Sequence, residues 1–187
     1  MRHRQLRDRH LGEIDIEIRQ IHADEIAAFR QIRLEALMNE PSSYASSYED
    51  WIILTTEDWQ ERLKEPVFVA FQAGEPVGIM GLLRQRASKM NHRATIVMVY
   101  VRENLRGKGI AGQLLEAVVE TSGERGIAQL ELTVSAENIA AIKFYQRQGF
   151  AVVGRIPGGF LHQGREIDDV IMVYRLRRVL VPERTSD

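Results

Sequence analysis

The chain has no cysteine among its 187 residues. That excludes disulfides, thiolate metal sites and a cysteine nucleophile. A surplus of either charge is missing too: 25 Lys+Arg stand against 26 Asp+Glu, a formal net charge of −1. A chain so balanced has no broad nucleic-acid footprint, and no nucleic-acid partner is expected. Long apolar runs are lacking. The longest clean one, IVMVYV at 96–101, is far too short to span a bilayer, so no membrane partner is expected. The basic start, MRHRQLRDRH, has no apolar stretch behind it and is not a secretory signal. It reads as a flexible tail over 1–12, or as an arm for nucleic acid or a partner, the tail being the commoner case. A second tail is expected over 178–187. The five histidines show no ligand spacing, and Asp168-Asp169 alternates faces in a strand, so no metal is expected. The expectation is a soluble, cytoplasmic protein.

What is present is an ordinary globular balance, 44% hydrophobic and 27% charged, in a length that suits one domain over 13–177. IDIEIRQI (14–21) alternates and reads as a strand. Asp24 opens a helix to about Met38, with Ile26, Phe29, Ile32, Ala36 and Leu37 on its inner face. Residues 39–50, rich in Ser, Tyr and acid, read as a loop, and 55–65 as a short capped helix closed by Pro66. Residues 67–72 and 77–86 form a hairpin, and 93–101 a third strand. A helix over 108–125, a strand over 128–134, a helix over 138–148 and strands at 150–156 and 168–176 complete the chain. The order is β α α β β β α β α β β. A Rossmann domain would instead alternate from its start.

LRGKGIAGQLL (105–115) carries the chemistry. Gly107, Gly109 and Gly112 let the backbone approach a phosphate. The helix that follows offers unpaired N–H groups and a positive dipole end, and Arg106 and Lys108 add charge. Taken alone, the loop is equally well a tight turn with surface cations. NAD is disfavoured, because five residues separate the strand from the first glycine and Glu131 lies mid-strand.

Two motifs decide the reading. RGKGIA (106–111) fits the [QR]-x-x-G-x-[GA] loop of the GNAT superfamily of N-acetyltransferases, and NIAAIKFYQRQGF (138–150) resembles its N-x-x-A-x-x-x-Y-x-x-x-G-F. The resemblance extends to the element order over 14–176. It implies a mixed α/β fold of the α+β type: a mostly antiparallel sheet with about four helices and one splayed parallel pair. It implies acetyl-CoA as co-substrate, with its pyrophosphate on the amides of Arg106, Gly107, Lys108, Gly109, Ile110, Ala111 and Gly112. The pantetheine arm would pair with the backbone of Met98, Val99, Tyr100 and Val101, where a bulge leaves an N–H for the oxyanion. Tyr145 would protonate the departing thiolate; the alternative is an aromatic pair, Phe144-Tyr145, packed in the core. Asn138 would contact the pantetheine arm, cap its helix, or both. Arg147 would approach the 3′-phosphate or serve as a helix-end cation.

The resemblance implies transfer to an amine-bearing small molecule or peptide, and homodimers occur on this scaffold. The acceptor is expected between 39–54, with Tyr44, Tyr48, Glu49 and Asp50, and 156–168, with Phe160 and His162. The alternatives are another acyl group or nucleophile, or a relative that binds CoA without turnover. No acid lies in 94–101 to act as base. Glu103, Glu131 and His92 are the remaining candidates.

Overall fold

Strand β2 (Val67–Gln72) is buried along almost its whole length, so both its faces must be covered. Its side chains alternate between two cores. Phe68 and Ala70 join one cluster, whereas Val67, Val69 and Phe71 join the other. The computed structural model describes residues 15–176 and shows the sheet that makes this necessary. Strands β1 (Glu17–Gln20), β2, β3 (Glu75–Arg84), β4 (Arg93–Val101), β5 (Gln129–Ser135), β6 (Ala151–His162) and β7 (Arg165–Arg175) lie in the order β1-β2-β3-β4-β5-β7-β6. Every neighbouring pair is antiparallel except β4 and β5. Both expected tails, 1–12 and 178–187, lie outside the described residues.

One face of the sheet carries helix α1 (Ile26–Asn39) and the short helices α2 (Tyr48–Ile52) and α3 (Thr56–Arg62). Phe29, Ile32 and Ala36 of α1 pack there with Trp59 of α3. The other face carries α4 (Ile110–Glu124) and α5 (Ile139–Arg147). Ile110, Leu114, Leu115 and Val118 repeat at helical spacing and seal that side. Helix α4 is also the crossover that a parallel pair requires.

Three features differ from the sequence reading, and the causes are local. Residues 39–50 contain a 3₁₀ turn at Pro41–Ser43 and the start of α2 rather than a plain loop. A capping box explains α2: Ser47 Oγ accepts from the Asp50 N–H, and Asp50 accepts from the Ser47 N–H at 2.8 Å. The helices therefore number five among the described residues, not four. The connection placed at 156–168 is itself strand. β6 and β7 run on to a two-residue turn, Gln163-Gly164, whose φ values of 52° and 75° match the twist of a hairpin. The Pro157-Gly158-Gly159 stretch is a register irregularity between Ile156 and Phe160, not a break.

Candidate active site

Parallel pairing between β4 and β5 lasts only from Arg93↔Gln129 to Thr95↔Glu131. Beyond Thr95 the two strands separate, and a cavity of about 1070 Å³ opens between them. At the same level β4 carries a bulge. Its register against β3 shifts between Ile79 and Gly81, and Met98 adopts φ 57°, a conformation that costs an L-residue with a long side chain. Gly81 makes room: a Cβ there would lie 2.5 Å from Met98 Cε.

The glycine loop forms one end of this cavity. Gly107 and Gly109 have φ of 76° and 84°, which L side chains adopt only under strain. Gly109 is the N-cap of α4 and supplies no side chain, so the first-turn N–H groups stay free for a ligand. Space in front of the loop is open, since a Cβ on Gly107 or Gly112 would meet nothing within 4 Å. Arg106 is fastened rather than free. Its Nε donates to the Val101 carbonyl at 2.9 Å and its Nη2 to Glu40 at 2.6 Å. Beside it, Arg102 forks onto Glu35 with two bonds of 2.7 Å, and Tyr100 donates to the same carboxylate at 3.2 Å. These contacts tie the end of β4 and the start of the loop to α1.

The residues expected to meet the cofactor all line this cavity except Lys108, which is exposed. Tyr145 is 4% exposed. Its ring packs edge-on against Phe144 and Phe150, and it also faces the cavity, so packing and a chemical role are compatible. Its hydroxyl has no hydrogen bond among the described residues. Burial, with a smaller effect from Tyr44, pushes this phenol above its ordinary pKa and keeps it protonated at neutral pH. Asn138 caps α5, its Oδ1 accepting from the Ala141 N–H at 3.0 Å. Asn138→Ala should therefore lower stability by about 1 kcal/mol, and Asn138→Asp should not. Denaturant titration checks this; equal stability of the two variants would remove the cap from the account.

On the acceptor side the residues divide. Tyr44 stands in the wall of the main cavity, and its hydroxyl donates to the Val99 carbonyl at 2.8 Å, beside the bulge. Tyr48, Glu49 and His162 line a separate cavity of about 490 Å³ that shares Tyr44. Asp50 is spent on the α2 cap, and Phe160 is half-buried on β6 outside both cavities. The three candidate bases lie outside as well. Glu131 is paired with Arg93 at 2.5 Å, and Glu103 and His92 are exposed.

Sequence reasoning missed Arg33. It is 3% exposed and lines the main cavity, with Nε and Nη1 buried and without a partner among the described residues. Its guanidinium lies 4.4 Å from the Trp51 ring centroid and 4.7 Å from that of Tyr44. Burial lowers its pKa to about 10; Tyr44 opposes the shift and Arg62 adds to it. Relative to an ordinary arginine, that is a cost on the order of 3 kcal/mol to the folded state. The cost is full below the folded pKa and fades as pH rises from there toward the unfolded value. The signal was available: Phe29, Ile32, Arg33, Ala36 and Leu37 form the buried stripe of α1, and Arg33 occupies an apolar slot in it.

Among the described residues, no group of three His, Asp or Glu is placed to hold a metal, and no helix is long and apolar enough to cross a membrane. Residues 27–150 match the acetyltransferase (GNAT) family. The chain belongs to that family. It is 30% identical over 143 residues to the L-methionine sulfoximine/L-methionine sulfone acetyltransferase of Pseudomonas aeruginosa, covering 75% of this chain and 80% of that one. It is 32% identical over 108 residues to the mycothiol acetyltransferase of Brachybacterium faecium, of which it spans only 33%. Its fold matches yncA of Salmonella typhimurium, solved with its cofactor acetyl-CoA, at a TM-score of 0.76 and 20% identity, over 91% of this chain and 99% of that one. The acetyltransferase is thus an acyltransferase of the GNAT family with that family's mixed α/β fold.

Proposed function

We propose that this acetyltransferase moves the acetyl group of acetyl-CoA directly to a primary amine while both are bound. The observation that carries the proposal is a single cavity. The splayed strands, the free N–H groups at the start of α4, the Met98 bulge and Tyr145 all border it. The loop amides suit a pyrophosphate. The cradle also fits the co-substrate sterically, since the two left-handed glycines leave the approach clear.

The reaction needs a neutral amine, a held oxyanion and a protonated leaving group. The amine nitrogen bonds to the carbonyl carbon and sheds a proton to water. A backbone N–H at the β4 bulge polarises the carbonyl oxygen. The C–S bond then breaks, Tyr145 gives its proton to the sulfur, and the phenolate recovers a proton from solvent. Burial that raises the phenol also raises the departing thiol, so the two stay close enough in acidity for transfer. The Pseudomonas relative's name supports a small amine acceptor.

The test is release of free CoA thiol from acetyl-CoA across a panel of amines, with the N-acetyl product identified by mass. Turnover with at least one amine is expected. Saturable CoA binding with no thiol release from any amine would instead assign a binding protein.

A further inference from the structure

Two arginines flank one tryptophan in the cavity wall. Trp51 has the Arg33 guanidinium 4.4 Å from its centroid and that of Arg62 4.8 Å away. Neither arginine forms a salt bridge among the described residues. Among the described residues Arg62 Nη1 donates only to the Asp58 carbonyl, at 2.8 Å. Three of the nearby carboxylates are engaged elsewhere, Asp58 in the α3 cap, Glu40 with Arg106 and Glu61 with Lys64, and Glu65, also in the cavity wall, pairs with neither arginine among the described residues. Buried charges are ordinarily paired. Here two like charges line one cavity wall, and the more buried has Nε and Nη1 sealed from solvent with no acceptor among the described residues.

Arg33 also lies close to the reacting centre. Its guanidinium sits over the ring of Tyr44, and the Tyr44 hydroxyl reaches the Val99 carbonyl at the bulge. One aromatic ring therefore separates the unpaired cation from the strand segment where the acetyl carbonyl would be polarised. Arg33 and Val99 line the same cavity.

We propose that Arg33, seconded by Arg62, seats a carboxylate of the acceptor, so that the substrate is an amine that also bears a carboxylate, as a free α-amino acid does. This rests on reading the cavity as an acetyl-transfer site. A planar guanidinium held between two aromatic rings has its orientation fixed before the ligand arrives; with Nε and Nη1 sealed from solvent, Nη2 is the nitrogen left to donate a charge-assisted bond to a carboxylate oxygen. The aromatic contacts hold the cation at modest strength, and a carboxylate supplies the charge partner that Arg33 lacks among the described residues. Arg33 is then a specificity residue rather than a participant in bond making.

The test uses the full chain. A panel of L-amino acids, L-methionine sulfone included, is assayed by thiol release against the matching carboxamides, which keep the amine and lose the charge. Wild type should favour the acids by roughly 10²-fold in kcat/KM, the scale of stranding a buried charge. Arg33→Met should lower kcat/KM for the acids by about that factor and leave the amides almost unchanged. Its melting temperature should not fall, because an unpaired buried charge has been replaced by an apolar chain of similar length. A purely structural clamp would act differently: Arg33→Met would melt earlier and depress acids and amides alike. That result, or equal use of acids and amides by wild type, overturns the proposal. Should no amine be acetylated, calorimetry on the CoA-saturated protein separates the two claims. Acids that bind where their amides do not would sustain the carboxylate seat and sink the transfer reaction. Absence of binding by every acid would sink the seat.

Discussion

Tyr145→Phe should reduce kcat by roughly 10²–10⁴-fold, the usual contribution of a positioned general acid, while the KM for acetyl-CoA changes little. The reason lies in what the substitution spares. The Tyr145 ring packs between Phe144 and Phe150, and phenylalanine keeps both edge contacts. The hydroxyl forms no hydrogen bond among the described residues, so its removal strands no partner and should leave stability nearly unchanged. Loss of rate with thermal stability intact would thus report on the proton. Steady-state kinetics with an accepted amine, beside a melting curve, reads both. If kcat stays within a few-fold of wild type, the thiolate takes its proton from water and Tyr145 is only a wall of the cavity.

The pH dependence offers a second reading of the same group. With its pKa pushed upward by burial, the phenol does not titrate near neutrality, and loss of its proton should not limit rate anywhere between about pH 6 and 9. Any rise in rate over that interval belongs to deprotonation of the amine.

Both faces of the sheet were legible in the sequence because their periodicities are strong. VFVAFQ admits little but a doubly buried strand, and the α4 stripe is continuous. The glycine loop was legible for a stereochemical reason, since Gly107 and Gly109 occupy conformations that other residues enter at a cost. Helix α2 was hidden by composition. Its Ser-x-x-Asp cap is readable at 47–50, but five residues are too few to show a period. The long β6–β7 hairpin was hidden by Pro157-Gly158-Gly159, which looks like an end and is instead a place where the strands slip in register.

Arg33 marks a different limit. An arginine in an apolar stripe can snorkel to water if its helix lies near a surface. Here Tyr44 and Trp51, 11 and 18 positions along the chain, close over it. That burial comes from the path of the α1–α2 segment, which local pattern does not encode. The acidic pair Glu49-Asp50 was read as an attraction for an ammonium; in the fold Asp50 caps a helix and Glu49 lines the smaller cavity, a division that charge alone does not encode.

Gly109→Val should weaken acetyl-CoA binding by roughly 10²-fold or more, but the variant needs a partner to be interpretable. At φ 84°, any L side chain strains the backbone, and a β-branched one strains it most. A loss of binding could then reflect a destabilised protein. Gly74, in the β2–β3 turn, provides the matched control. Its φ is 82°, and a Cβ there would meet nothing within 4 Å, much as the Gly109 Cβ would meet only Gln113 Nε2 at 4.0 Å. Gly74→Val should therefore lower the melting temperature by a similar amount, and it lies outside the cavity. The two variants differ in what faces the added carbons. At Gly109 they would project beside the free N–H groups at the start of α4 and keep a phosphate from reaching them. Each charge-assisted bond so lost is worth about 1.5–3 kcal/mol, and about 1.4 kcal/mol is tenfold in affinity. Calorimetric titration of CoA into both variants decides the matter. Weak binding by Gly109→Val beside near-wild-type binding by Gly74→Val assigns the loop to the pyrophosphate. Equal affinities, at equal loss of stability, would show that the left-handed glycines only turn the chain into α4.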